Sequence, residues 1–342
     1  MNKSSVLRSR LNVSFGVISL FPIVSVLISI FYSVVYSFVL FFFREGSENI
    51  LSDAVDFYVS FILPQTLLPV LTASVALLIP KLGLFEVKSC VRSERVPIHY
   101  FILCVGMFPA LSMLATNISL SISEILKQLG VPVLDVNSVI PAPETPVQIF
   151  FLFFVMAVLP AVCEEFIYRG LLLGGVSEFG KVGAVIVSSF AFGMMHATVQ
   201  QIPFAFLIGL FLGYVTIRFK SIVLPVVLHF LNNAVSCFIF VLQNYLDEET
   251  VIIIDALMSM FFIVSGFFCT IIFIVASIHD RAKAKLQVSP DVCNCSTDEE
   301  SPVEEESLSF FKTTIRSWGF WLFTVIYLIY TCLNILLTAA SV

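Results

Sequence analysis

The chain has 342 residues, 58% of them hydrophobic and only 12% charged, with 36 phenylalanines and a formal net charge of −6. Soluble domains carry about 25% charged and about 45–50% apolar residues, so this composition excludes an ordinary soluble globule and fits a polytopic membrane protein. The acids cluster in loops, so the net charge says nothing about nucleic acid, and no nucleic-acid partner is expected.

Apolar runs set the predicted spans. Lys3, Arg8 and Arg10 precede a charge-free run over 11–43. That run is far longer than the roughly 7–15 apolar residues of a signal peptide and reads as an uncleaved first span. A second span is predicted over 57–80, where Pro64 can kink it. A basic loop with Lys81, Lys88, Arg92 and Arg95 follows, then a third span over 96–123. The polar loop 124–144 leads to a fourth span, which starts near Pro146 and runs into Glu164 and Glu165. Between 182 and 217 the chain is uncharged except for His196. A span needs about 20 residues, so this run reads as two spans. Gln200-Gln201-Ile202-Pro203 is the predicted turn between them. Gly209-x-x-x-Gly213 allows close helix packing in the second. Further spans are predicted over 221–246, 256–278 and 317–340. The acidic segment 279–307 reads as a solvated, disordered cytoplasmic linker.

The predicted fold class is all-α, a polytopic transmembrane helical bundle of eight or nine spans. It divides into a three-span N-terminal region (1–144), a four-span catalytic core (145–246) and C-terminal spans with the acidic linker (247–342). Most of the eight cysteines sit in apolar runs, where cysteine behaves as a small hydrophobe. Cys293-Asn294-Cys295 is too closely spaced for an ordinary zinc pair and has no second half. With the N-terminus inside, only Arg44 and Lys127 of the 18 basic residues lie outside. That bias sets the expected orientation: N-terminus cytoplasmic, C-terminus outside. The expected location is the plasma membrane of a prokaryote, with the endoplasmic reticulum second.

The most informative stretch is Val162-Cys163-Glu164-Glu165-Phe166-Ile167-Tyr168-Arg169-Gly170. A charged side chain at the centre of a bilayer costs about 2.5–3.5 kcal/mol on insertion scales, and such residues usually mark function. Glu165 and Arg169 are i,i+4 neighbours and can pair along one face. Glu164 lies about 100° round the helix and is free to point elsewhere. Glu165–Arg169 therefore reads as structural and Glu164 as chemical. His196 closes Phe192-Gly193-Met194-Met195-His196, and His229 shares a face with Asn233, from which Asn232 turns away. Taken singly, an intramembrane His or Asn is more often helix glue than a catalyst. Together, a carboxylate, two imidazoles and an amide are the parts needed to activate water and hold an oxyanion.

Glu-Glu-x-x-x-Arg, Phe-x-x-x-His and His-x-x-x-Asn, in that order on successive membrane helices, resemble the CPBP family (CAAX protease and bacteriocin-processing, also ABI) of intramembrane proteases. The eukaryotic type of that family is the Rce1-like prenyl endopeptidase. The resemblance covers roughly 147–243. It implies that Glu164 is the general base, assisted by His196, with His229 and Asn233 holding the oxyanion. Glu165, Arg169 and Phe192 would be structural support. No cofactor is favoured. The alternative is a catalytic zinc on Glu164, His196 and His229, since such a site needs three ligands plus water, but no His-Glu-x-x-His helix accompanies them. The expected partners are membrane lipid and a membrane-associated peptide or protein substrate, with its lipidation left open. Two other functions use the same residues: a proton-coupled transporter, and a non-catalytic scaffold or immunity protein of the same fold.

One geometric conflict stands in the sequence. Glu164 falls late in the fourth span and His196 late in the fifth, which runs the other way. To bring them level, the fourth helix must continue past Arg169 or the fifth must start deep or tilt; the former is expected, with helix through about Leu173 and Glu164 near mid-depth.

Overall fold

The computed structural model describes residues 2–43, 56–83, 85–134, 136–287 and 303–341. Among these residues there is no strand, and ten helices are numbered here in chain order. They are α1 (Lys3–Phe38), α2 (Phe57–Gly83), α3 (Ile98–Gln128), α4 (Pro146–Phe179) and α5 (Lys181–Met195). Then follow α6 (Gln201–Phe219), α7 (Val223–Tyr245), α8 (Glu248–Gln287), α9 (Val303–Ile315) and α10 (Trp318–Ser341). Eight of them, all but α5 and α9, are long and apolar enough to cross a membrane.

The pair predicted over 182–217 forms differently. Helix α5 has 15 residues, about 22 Å at 1.5 Å per residue, against an apolar bilayer thickness of about 30 Å. It packs against α6 as a hairpin that comes back to the side it left. The turn between them is also earlier than Gln200–Pro203. The chain leaves the helix at His196 and re-enters it at Gln201, and Pro203 sits in the first turn of α6, where its missing N–H has no intrahelical partner to lose. The glycines act as expected in the hairpin. A Cβ on Gly209 would lie 3.1 Å from Ser189, and one on Gly213 3.0 Å from Val185.

Helix α4 starts at a capping box. Thr145 accepts from the amide of Gln148, the Gln148 side chain accepts from the amide of Thr145, and Pro146 fills the first helical position. The helix then runs beyond Leu173, as expected from depth, and ends in a short 3-10 turn at Ser177–Phe179. Gly180 reverses the chain at φ 155°, a conformation that side chains other than glycine's rarely adopt. Gly174 allows α4 to touch the loop before α3: a Cβ there would lie 2.5 Å from the Cys90 carbonyl oxygen. Arg10 of α1 holds the same end of α4, donating to the Gly175 carbonyl at 2.8 Å and pairing with Glu178.

Three buried clusters meet along α4 and its neighbours. One joins α1, α2, α4, α5, α6, α9 and α10; a second joins α3, α6, α7 and α8; a third joins α2, α4 and α7. The outer surface is apolar: Phe261, Phe267 and Phe268 of α8 are each more than half exposed, as lipid-facing side chains are. The predicted linker 279–307 is partly helical. Helix α8 continues to Gln287 and α9 begins at Val303, so only its middle lies outside the described residues, together with Cys293 and Cys295. Ala282-Lys283-Ala284-Lys285-Leu286-Gln287 is made of strong helix formers, which the linker reading underweighted against the acids that follow.

Candidate active site

Glu164 and Glu165 sit between two widened, π-helical segments of α4, Phe154–Val158 and Phe166–Leu173. Pro160 lacks the N–H that would bond the Met156 carbonyl, and the turn before it takes the wider form. Segments of this kind are rare and concentrate at functional sites.

Glu165 is fully buried and does more than pair with Arg169. Its Oε1 accepts from Arg169 Nη1 at 2.8 Å and from His229 Nδ1 at 2.8 Å. Arg169 is equally buried; its Nη2 donates to the Gly209 carbonyl at 3.4 Å, and its guanidinium stacks 4.2 Å from the centre of the Phe192 ring. The predicted i,i+4 pair therefore exists, and Glu165 joins it to α7 through His229.

Glu164 keeps clear of Arg169. Its Oε2 lies 3.9 Å from His229 Nε2, an electrostatic approach longer than a hydrogen bond. His229 thus has one carboxylate bonded at Nδ1 and another facing Nε2. A carboxylate only accepts, so Nδ1 carries a proton. His196 is fixed the same way: its Nδ1 donates to the Phe192 carbonyl at 2.9 Å, which turns Nε2 away from its own helix. The Phe192 ring is the plate between these groups. His196 meets it edge-on at 5.1 Å, His229 at 5.7 Å and Tyr168 at 5.4 Å.

Asn233 lies one turn beyond His229 on α7, and its partner is Asn232, whose Nδ2 donates to Asn233 Oδ1 at 3.1 Å. Asn232 therefore does not turn away from the site, as its position round the helix suggested. It is held in turn by the Ser112 hydroxyl of α3, which donates to its Oδ1. An amide whose oxygen is occupied presents its nitrogen elsewhere, so the orientation of Asn233 is set from a neighbouring span.

Glu164, Glu165, Arg169, Phe192, His196 and His229 thus converge from α4, α5 and α7, with Asn233 adjoining. Four buried polar atoms there have no hydrogen-bond partner among the described residues: Glu164 Oε2, Glu165 Oε2, Tyr168 OH and Arg169 Nε. Buried polar groups are nearly always paired, so four orphans on one stretch of helix mark a site rather than a core. Tyr168, Asn232 and Ser112 were not legible as site residues. Tyr168 lies inside the charged stretch, but tyrosine in an apolar run gives no separate signal. Ser112 pairs across 120 residues of sequence.

Depth departs from expectation in one respect. His229 is six residues into α7, about 9 Å from its start, and α7 spans 23 residues or about 34 Å. Gly170 packs beside Ile222 at that same end. The site therefore lies on the Lys220 side of the midpoint, because α4 is longer than a bilayer and its last turns overhang the loop around Cys90.

Among the described residues no three His, Cys, Asp or Glu side chains form a ligand set for a metal ion.

Residues 146–235, from the start of α4 to the middle of α7, match the family model described as type II CAAX prenyl endopeptidase Rce1-like. Over these residues the chain is similar to that family. The match covers every residue of the three motifs and agrees with the resemblance they carry. At family level it supports a membrane-embedded CAAX-type protease. No curated protein and no solved structure matched the chain. The Rce1-like segment leaves α1, α2, α3, α8, α9 and α10 outside it.

Proposed function

We propose that the chain hydrolyses a peptide bond of a membrane-associated protein or peptide, with water activated by Glu164. The single observation that supports this best is the division between two adjacent carboxylates. Glu165 is bonded by a guanidinium and an imidazole, while Glu164 has a buried oxygen with no hydrogen-bond partner among the described residues and faces the second nitrogen of that imidazole. A carboxylate with its lone pairs uncommitted is the one able to take a proton.

In the proposed reaction the nucleophilic water donates one hydrogen to Glu164 and the other to His196 Nε2, which leaves an oxygen lone pair for the scissile carbonyl. Glu164 takes the proton as the carbon–oxygen bond forms, and later delivers it to the departing amine. The oxyanion accepts from Asn233 Nδ2 and from His229 Nε2. Donation from both nitrogens of His229, to Glu165 and to the oxyanion, requires its imidazolium form. Arg169 and Phe192 hold Glu165 and the rings in place. With the N-terminus cytoplasmic, the site lies nearer the cytoplasmic face, within reach of a substrate anchored in the inner leaflet. A prenylated peptide of the CAAX kind, named in the family description, is the first substrate to try.

The test is cleavage of a quenched fluorescent farnesylated CAAX peptide by purified protein in liposomes, beside Glu164→Ala. Wild-type cleavage abolished by the variant is expected; equal rates would overturn the proposal, and would leave a transporter or scaffold role for the same residues. Elemental analysis of the active protein separates the mechanisms. One zinc per chain, with activity lost in chelator and restored by zinc, would replace the glutamate mechanism with a metal-bound water.

A further inference from the structure

The loop that carries His196 is held from outside the Rce1-like segment. His196 caps the end of α5, and its backbone N–H and that of Ala197 close back on Gly193 and Met194. Ala197 then takes φ 51°, the left-handed conformation in which glycine is the usual residue after a helix. An alanine there carries a steric cost, so the conformation must be held by its surroundings. Its carbonyl receives the side chain of Asn334, whose Nδ2 donates at 3.0 Å from the last membrane helix, α10. The other end of the loop is held by α3, where the Ser119 hydroxyl donates to the Gln200 carbonyl. Thr198 and Gln201 bond each other within the loop.

We propose that Asn334 is a positioning residue for His196, acting through the Ala197 carbonyl; the proposal rests on His196 taking part in the reaction. Ala197 follows His196 directly, so the Asn334 bond to its carbonyl fixes the backbone rotation at Ala197, one residue from the Cα that carries the imidazole. Among the described residues the ring is hydrogen-bonded at Nδ1 alone, to the Phe192 carbonyl. Loss of the Asn334 bond leaves a buried carbonyl without its donor next to a strained residue, and the local remedy is for the loop to rotate. That rotation moves Nε2 of His196. The last helix is thereby part of the catalytic apparatus, although it lies outside the family match and supplies no group to the reaction.

The test uses the full chain in nanodiscs. Asn334 borders a groove of about 750 Å³ between α1 and α10, so Asn334→Leu, similar in volume, fits without overpacking. The chain has four histidines, so nitrogen-15 labelling of histidine alone gives four pairs of imidazole signals, with the pair of His196 assigned from His196→Gln. Asn334→Leu is expected to move the His196 signal and leave those of His99, His229 and His279 in place. Turnover of the farnesylated peptide should fall about 10- to 100-fold in kcat with KM little changed, as misplacement of a catalytic group by about 1 Å produces. Asn334→Gln keeps an amide donor and should recover part of both effects. An unmoved His196 signal in Asn334→Leu overturns the proposal even if activity falls, and so does an unchanged kcat. Full turnover by His196→Gln would instead overturn the catalytic reading of His196, and the proposal with it.

Discussion

Adjacent carboxylates of one helix should respond in opposite ways to the same substitution. Glu165 is fully buried and accepts two charge-assisted hydrogen bonds, each 2.8 Å, from Arg169 and His229. Bonds to charged groups contribute about 1.5–3 kcal/mol each, so the pair is worth about 3–6 kcal/mol. Breaking one partner of a buried ion pair costs about 3–5 kcal/mol. In Glu165→Gln the amide oxygen can still accept, but the guanidinium loses its counter-charge and keeps only the Gly209 carbonyl at 3.4 Å and the Phe192 ring. The expected loss is about 3 kcal/mol, the lower end of that range. Among the described residues Glu164 Oε2 has no hydrogen-bond partner to lose in Glu164→Gln, its approach to His229 is 3.9 Å, and the side chain keeps 18% exposure. Its expected change is within about 1 kcal/mol, as for most substitutions that break no bond. Equilibrium unfolding in mixed micelles measures both, and peptide cleavage on the same samples measures turnover. Glu164→Gln should fold and be inactive. Glu165→Gln should be unstable, and the folded fraction should also be slow, because His229 loses the carboxylate that fixes its Nδ1 proton. Equal stability of the two variants would refute the division of labour between them.

Asn233→Ala should lower kcat by about 10²–10³, as loss of one oxyanion donor does, without changing metal content; Asn232→Ala should act through Asn233 and cost less. Gly174→Ala should destabilise the packing of α4 on the loop before α3, because its methyl would meet the Cys90 carbonyl oxygen at 2.5 Å and backbone cannot swing aside; a thermal scan against Gly16→Ala, whose Cβ would meet Trp318 at an ordinary 3.5 Å, checks this. In a cysteine-free background, Lys88→Cys should be labelled only from the cytoplasm and Leu129→Cys only from outside; the reverse pattern would overturn the orientation drawn from the charge bias.

The sequence by itself determined the class and most of the span plan. Runs of apolar residues about 20 long have few alternatives to membrane helices, since backbone polar groups in lipid must be satisfied within the segment. It also determined which residues to watch, because Glu164, Arg169, His196 and His229 are expensive at membrane depth and stand out against uncharged surroundings. The i,i+4 rule correctly paired Glu165 with Arg169, since that bond is local to one helix. Only the tertiary structure decided that α5 stops short, that His229 takes the same oxygen of Glu165, that Asn232 turns toward Asn233, and that Asn334 reaches the His196 loop. The physical reason is common to them. Helix length in a crowded bundle is set by what the neighbours leave room for, and partners 64 or 137 residues apart meet only when whole helices pack. Helical periodicity says which face a side chain shares on its own helix; what stands opposite that face is a property of the bundle.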